Sequence, residues 1–448
     1  MKGVIKINNE MNIQRKSVLV FKLNSITEKM ALIVTLLLGA VSMLGVSEMM
    51  QLVIGLVFLG VMLIVPTRIS IRYLMFILPA NEMLNFGSTS LTMIFVALFT
   101  IIRYLLSAKI KHISAGLFIG ISLLLVSCLG QYVINGESVA FVSTVKHIFF
   151  LYYLAILLNE NRNIWINVYI EAFRYAAIGI LYFSLLSIGI NGMPSLITRF
   201  TFSDEVTINF IAIISALVVV NLFYIGFVMR KASGFDVALM VGCAFIGILT
   251  QSRTFILGVA IGLICFFLFS SSWVKKIKFL LIICVCVALI AVVIMNIPLL
   301  SERIEAVFGR IINPSGNDVS NGRYELWNIT IQTMMRDPGY FWLGAGDFLN
   351  IGAAFENKVM VAHNLFLETW VIYGNLGCTV LLYIYAVYIK RYIIKGQNVK
   401  LRMVTLIPLI VMICCLFYSH HFIGRSMSIV FGLSFLPIVL NIPSKNGD

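Results

Sequence analysis

The sequence predicts an all-α polytopic membrane protein of about 12–14 transmembrane helices with one long extracytoplasmic loop. Three observations carry that expectation. Hydrophobic residues make up 60% of the 448-residue chain and charged residues only 12%, with a mean hydropathy of +1.00. No water-soluble fold of this size has a core large enough to hide so much apolar surface. The apolar residues fall in repeated runs of roughly 17–25, the length of a helix that crosses a bilayer, and the short alternating segments of a membrane β-barrel are absent.

The elements follow in order. Met1 to Lys29 is polar and basic, with Lys2, Lys6, Arg15, Lys16, Lys22 and Lys29. It lacks the small-residue cleavage site of a secretory signal, so an uncleaved first span is expected. Candidate spans lie near residues 30–46, 49–66, 69–86, 88–106, 114–134, 139–158, 165–190, 206–229, 236–251, 254–272, 277–296, 364–389, 403–419 and 426–442. The third carries Arg68, Arg72 and Pro79 near its ends, and lying in the interface is its alternative. The ninth and tenth are short and fit a bent pair. With no internal repeat and no low-complexity tract, residues 1–448 read as one membrane domain, and residues 297–362 as a long loop within it.

Charge orients the chain. The net charge is +14, and the basic residues gather in alternate connections: Arg68/Arg72, Arg103/Lys109/Lys111, Arg162, Arg230/Lys231, Lys275/Lys276/Lys278 and Lys390 to Arg402. The intervening connections are mostly neutral or acidic. The positive-inside rule then puts both termini in the cytoplasm and the 297–362 loop on the outer face. This distribution accounts for the basic excess, and no nucleic-acid partner is expected. The eight cysteines (Cys128, Cys243, Cys265, Cys284, Cys286, Cys378, Cys414 and Cys415) all lie in apolar runs, and none has the spacing of a zinc site. No Walker loop, dinucleotide fingerprint, HExxH or nucleophile elbow is present, which excludes an ATP-driven pump acting alone.

The long loop holds seven of the nineteen acidic residues, so chemistry is concentrated there. Its aromatic content argues against disorder. A helix is expected from about Ser320 to Arg336, with Tyr324, Trp327, Ile331 and Met334 at helical spacing. Asp337-Pro338-Gly339 ends it. Gly344-Ala345-Gly346 is a flexible turn that lets backbone approach closely. His363 stands just before or within the first turn of the next span.

Several side chains on the expected outer face suit chemistry. Arg253 sits between two apolar runs, where an arginine needs water, a partner or an anion; taken alone, it reads more simply as a snorkelling side chain. Arg323 opens the loop helix, where a guanidinium and free amides suit a phosphate; an ordinary pairing with Glu325 or Asp318 is the alternative. His363 suits removal of a proton from a sugar hydroxyl, against an interfacial histidine with Asn364 merely capping the next helix. Glu368, one turn on, is placed to orient that ring. His420, His421 and Arg425 share the face; metal binding is their alternative reading, but with no carboxylate or cysteine near them in sequence they read as loop residues. Lys146, His147, Glu171 and Arg174 lie inside spans, the last two neutralising each other or a neighbouring helix.

The order Ser252-Arg253, Gly322-Arg323-x-x-Leu326-Trp327, Gly344-x-Gly346 and His363-Asn364-x-Phe366-Leu367-Glu368 resembles the O-antigen ligase and polysaccharide polymerase superfamily. That group is similar to multi-span glycosyltransferases of the GT-C type. The resemblance covers the architecture throughout and individual motifs from about Thr250 to Gly377. It implies a polyprenyl-pyrophosphate-linked glycan donor, a glycan acceptor, an active site on the outer face of the bacterial cytoplasmic membrane, and no metal or other cofactor. A flippase and a chain-length regulator are further expected partners, beside the lipid bilayer.

By that resemblance, Arg253 and Arg323 match arginines that hold the donor diphosphate, and His363 matches the histidine that activates the acceptor hydroxyl or helps position it. Asn364, Trp327, Gly344, Gly346 and Glu368 are the implied substrate contacts. One departure is the Phe202 to Asn209 stretch, where relatives carry an Asp-Pro-Asn-like element; here proline is missing and Asp204 and Asn209 are further apart. The first reading is a polymerase joining lipid-linked repeat units into O-antigen, capsule or exopolysaccharide. The second is a ligase moving finished glycan to a lipid A core or a protein. A lipid-linked oligosaccharide flippase or transporter ranks lower, because the polar groups cluster in one loop rather than in a central cavity between repeated halves. A structural scaffold would leave the two arginines and the histidine unexplained.

Overall fold

The computed structural model describes residues 26–44, 48–86, 89–105, 115–136, 138–194, 198–203, 206–227, 229, 232–269, 323–346, 362–389, 399–417 and 419–440, with isolated positions between 273 and 305. The architecture is helical. In chain order the helices are α1 (Ile26–Met43), α2 (Glu48–Ile64), α3 (Thr67–Ile77), α4 (Leu91–Leu105), α5 (Ala115–Asn135), α6 (Val139–Glu160), α7 (Trp165–Asn191), α8 (Ile208–Phe227), α9 (Gly234–Leu249) and α10 (Arg253–Phe269). Beyond them come α11 (Arg323–Arg336), α12 (Pro338–Leu343), α13 (Leu365–Ile389), α14 (Val399–Leu416) and α15 (Met427–Val439). The described strands are two residues each, Asn85–Phe86 and Thr89–Ser90, closing a small antiparallel turn before α4.

Among the described residues, five helices are long and apolar enough to cross a bilayer: Ile26–Met43, Val139–Glu160, Trp165–Asn191, Ile208–Gly226 and Leu365–Ile384. Seven further apolar helices are shorter, at 10–17 residues. Apolar side chains remain exposed along several of them, such as Leu185 at 70% and Val126 at 65%. Such surfaces suit lipid rather than water. Packing runs α3 on α7, α7 on α8 and α9, α8 on α10 and α14, α14 on α15, α15 on α6, α6 on α4 and α5, and α5 on α13.

The third expected span is corrected. The chain there forms the 11-residue α3 and a 3-10 turn, Leu78–Met83, instead of a crossing helix. Pro79 lacks the amide that would continue the ladder, and α3 is buried against the rest of the protein. Its Ile69, Ser70, Tyr73, Leu74 and Ile77 are buried, and Gly179 on α7 admits it because any Cβ there would strike the Phe76 carbonyl. The expected ninth and tenth spans do form a pair, α9 and α10, joined by the tight turn at 250–252. The expected 277–296 span lies mostly outside the described residues, as do Cys284 and Cys286.

Two arginines of the bundle are paired. Arg72 binds Glu28 at 2.7 Å and Glu171 at 2.6 Å, and Arg174 binds Asp236 at 2.5 Å. Glu171 and Arg174 therefore neutralise neighbouring helices and not each other, as expected where water cannot solvate a lone charge. His147 of α6 shares a hydrogen bond with Ser428 of α15 at 2.9 Å. The described cysteines are all free.

Candidate active site

Hydrogen bonds join four connections: the turn after α3, α7–α8, α9–α10 and α14–α15. Glu82, in the turn after α3, accepts from the Thr207 amide at 2.7 Å, and Asn81 beside it donates to Ser426 at 3.0 Å. Arg199 donates to the carbonyls of Thr250 and Gln251 at 3.3 and 3.4 Å. Ser252 donates to Asn209 at 3.0 Å. These bonds fix the 250–252 turn, whose Gln251 takes φ 49°, a left-handed conformation costly for a residue with a side chain. Arg253, partly buried, opens α10 from that turn. The Cys415 thiol lies 3.6 Å from the Thr254 carbonyl, which holds the start of α10 against the end of α14.

The expected loop helix is α11, which ends where Asp337 caps the short α12 by accepting from the Gly339 and Tyr340 amides at 2.7 and 3.2 Å. The second helix was not expected. Met334, Ala345, Ala362 and Val371 form a small separate core with Trp327, Tyr340, Leu367 and Trp370 packed around it. Of the four residues expected on one face, Met334 is buried, Trp327 and Ile331 are half-buried, and Tyr324 is 65% exposed.

The glycine turn docks on a kink in α13. Gly374 takes φ 61° inside that helix, and Gly344 takes φ 91°. A Cβ at Gly344 would sit 2.7 Å from the Gly374 nitrogen and the Ile372 carbonyl; one at Gly374 would overlap the Gly344 nitrogen and the Leu343 and Trp342 carbonyl groups. A kink frees carbonyls that need donors. The Gly346 amide takes the Val371 carbonyl at 3.1 Å, and the buried Gln131 of α5 takes the Ile372 carbonyl at 2.5 Å. Gly344 and Gly346 thus make the close backbone approach expected of them, toward α13.

The Trp327 indole donates to the Ala362 carbonyl at 2.8 Å, tying α11 to the residue before His363. Its ring also meets Phe417 edge-on at 5.8 Å. His363 itself has φ 48°. Gln251 and His363 are the non-glycine residues with positive φ among those described, and each stands within two positions of a motif residue or is one. Asn364 is 3% exposed and caps α13, its side-chain oxygen accepting from the Phe366 and Leu367 amides at 2.9 and 3.2 Å. The simpler of its two readings is therefore what its contacts show.

Glu368 departs from expectation. It is 1% exposed, and its oxygens meet His420 Nδ1 at 2.8 Å and the His421 amide at 2.9 Å. It orients His420, from a loop over fifty residues away in sequence, and not His363 one turn before it. His420 in turn brings its ring to 4.8 Å from that of His363. Donor atoms of His363, Glu368 and His420 lie within 4.8 Å of one another, close enough to surround a cation. Both Glu368 oxygens are already hydrogen-bonded, which makes the arrangement a carboxylate–imidazole pair beside a second imidazole.

Burial, then the neighbouring His420 and Arg323 charges, hold His363 below the ordinary histidine range, with Glu368 opposing. Arg323 is thus within electrostatic reach of His363. Burial pushes the Glu82 carboxyl up, against the Thr207 hydrogen bond and the Arg425 and His420 charges. His421 is pushed well below its ordinary value by burial, then by Arg425, His420 and His147. A neutral His363 keeps a lone pair available at neutral pH. Sequence reasoning missed the role of His420; its signal was an expected place on the same face as His363. Asp204 lies outside the described residues.

Residues 237–382 match the family model described as O-Antigen ligase. That match supports a place for the segment in the O-antigen ligase and polymerase superfamily. It holds Arg253, Arg323, the glycine turn, His363 and Glu368, whereas His420 and Glu82 lie outside it. No curated protein matches the chain. An O-antigen ligase or polymerase type of function in a membrane protein follows from the superfamily.

Proposed function

We propose that the protein polymerises polyprenyl-pyrophosphate-linked repeat units into O-antigen, capsule or exopolysaccharide on the outer face of the bacterial cytoplasmic membrane. The observation that carries this reading is the convergence of Arg323, His363, Glu368 and His420 at the mouth of a segment matching the O-antigen ligase model. The donor sugar's bond to the diphosphate breaks and a new bond to the acceptor oxygen forms, by inverting displacement. The electron pair leaves with the diphosphate, where Arg253 and Arg323 meet its charge. The hydroxyl proton goes to an imidazole, and His363 activates or positions that hydroxyl. Trp327, Asn364, Gly344 and Gly346 act by holding the His363 segment in place.

A ligase passing finished glycan to a lipid A core or a protein uses the same donor chemistry and is the second reading. Membranes from a deletion strain, supplied with lipid-linked repeat units extracted from that strain, test both. With the wild-type protein restored, lengthening of the units on the carrier supports the polymerase, and transfer of glycan off the carrier supports the ligase. Neither product, with carrier diphosphate unreleased, rejects glycosyl transfer.

A further inference from the structure

We propose that Glu368 and His420 form the proton-accepting dyad of this site: His420 takes the proton of the acceptor hydroxyl, and His363 beside it orients that hydroxyl. The inference rests on the glycosyl-transfer reading and adds to it a residue outside the matched segment.

Glu368 is committed to two hydrogen bonds. A carboxylate 1% exposed needs hydrogen-bond donors for both oxygens, and it has them in His420 Nδ1 at 2.8 Å and the His421 amide at 2.9 Å. With Glu368 accepting at both oxygens, Nδ1 carries the hydrogen and the lone pair lies on Nε2. That is the tautomer a base needs, held in orientation by a buried acid. The His420 side chain is 26% exposed, so a hydroxyl arriving from solvent can reach the ring.

His363 is built for a different task. Its ring lies 4.8 Å from that of His420, and no described carboxylate is hydrogen-bonded to it. A proton placed on His363 would face Arg323 and His420, opposed only by Glu368 at a distance, whereas His420 contacts the Glu368 carboxylate directly at 2.8 Å. The left-handed backbone at His363, φ 48°, spends strain on aiming the ring. The reaction balances: the acceptor O–H bond gives its proton to His420 Nε2, the oxygen forms the new glycosidic bond, and the diphosphate leaves with the electron pair. Other titratable or charged groups facing His420 are Glu82 of the turn after α3 and His421 on its own loop, with Arg425 facing both of these.

The test uses the full chain in membranes, supplied with lipid-linked repeat units from the deletion strain, and compares wild type, His420→Gln, Glu368→Gln and His363→Gln. His420→Gln is expected to lower kcat by about 100-fold or more, the usual share of a general base, with donor KM roughly unchanged. Glu368→Gln removes the carboxylate that stabilises the imidazolium, so the acidic limb of the kcat profile moves to lower pH. His363→Gln raises the KM for acceptor. Wild-type kcat in His420→Gln, or an unmoved limb in Glu368→Gln, overturns the dyad. Donor affinity falling in step with kcat in both variants marks a purely structural pair and also overturns it. If the wild type itself forms no product, the glycosyl-transfer reading has failed; if wild type and His420→Gln are equally active, only the dyad has.

Discussion

Gly374→Ala should release the loop helices from α13 and disable the site from a distance. Alanine at φ 61°, ψ −172° enters a region nearly reserved for glycine, at about 1–3 kcal/mol. Its Cβ would overlap only backbone, the Gly344 nitrogen and the Trp342 and Leu343 carbonyl groups, so no flexible side chain can yield. Moving α12 away then breaks the Gly346–Val371 hydrogen bond, worth about 1 kcal/mol. The total, about 2–4 kcal/mol, moves the docked-to-undocked ratio by roughly 30- to 700-fold at 1.4 kcal/mol per factor of ten. Trypsin cleavage of the detergent-solubilised protein at Arg336, followed by mass spectrometry, reads that opening. Gly189→Ala, in α7 with nothing within 4 Å of its Cβ, is the control and should be neutral or slightly stabilising. Cleavage and glycan transfer in Gly374→Ala equal to those of the control would refute the reasoning.

Further outcomes follow from the same geometry. Asn364→Ala should destabilise by about 1 kcal/mol through loss of the α13 cap and leave donor KM unchanged, while Asn364→Ser restores stability; thermal unfolding in detergent measures both. Arg323→Gln removes a charge that depresses His363, so His363 protonation should move to higher pH, read by the pH dependence of its modification with diethylpyrocarbonate; an unmoved midpoint contradicts the placement. His421 is buried neutral, its folded value well below the ordinary 6.5, so the unfolded chain binds the extra proton. Stability should therefore be full above about pH 6.5 and fall as pH drops below it, and His421→Leu should flatten that slope in thermal unfolding. Trp327→Phe keeps the ring packing but leaves the buried Ala362 carbonyl without its 2.8 Å donor, at about 1–3 kcal/mol; kcat should fall more than donor KM rises.

The apolar runs made most helices legible because a bilayer-length run has few other structures available to it. The loop helix was legible for a local reason: Trp327, Ile331 and Met334 recur at helical spacing, and Asp337-Pro338 stops them. What sequence could not show is long-range. The Gly374 kink looks like an ordinary helical glycine until Gly344 is placed against it. The α3 segment carries Arg68 and Arg72 near what read as the end of a span, and Arg72 finds Glu28 and Glu171 only once the chain is folded. Glu368 lay one helical turn from His363, and local geometry favoured that pair; the competing partner, His420, comes from another connection and wins with a 2.8 Å contact. Proximity in sequence set the expectation, and tertiary packing redirected the carboxylate.

On the proposed function, this end of the bundle transfers a lipid-linked glycan with the help of His363. The most direct test is the glycan ladder on a gel from a deletion strain carrying either wild type or His363→Ala, with membrane insertion of both checked. Wild type should restore the ladder, and His363→Ala should leave single repeat units if the protein is a polymerase, or polymer stranded on the polyprenyl carrier if it is a ligase. A ladder from His363→Ala indistinguishable from wild type would contradict the account.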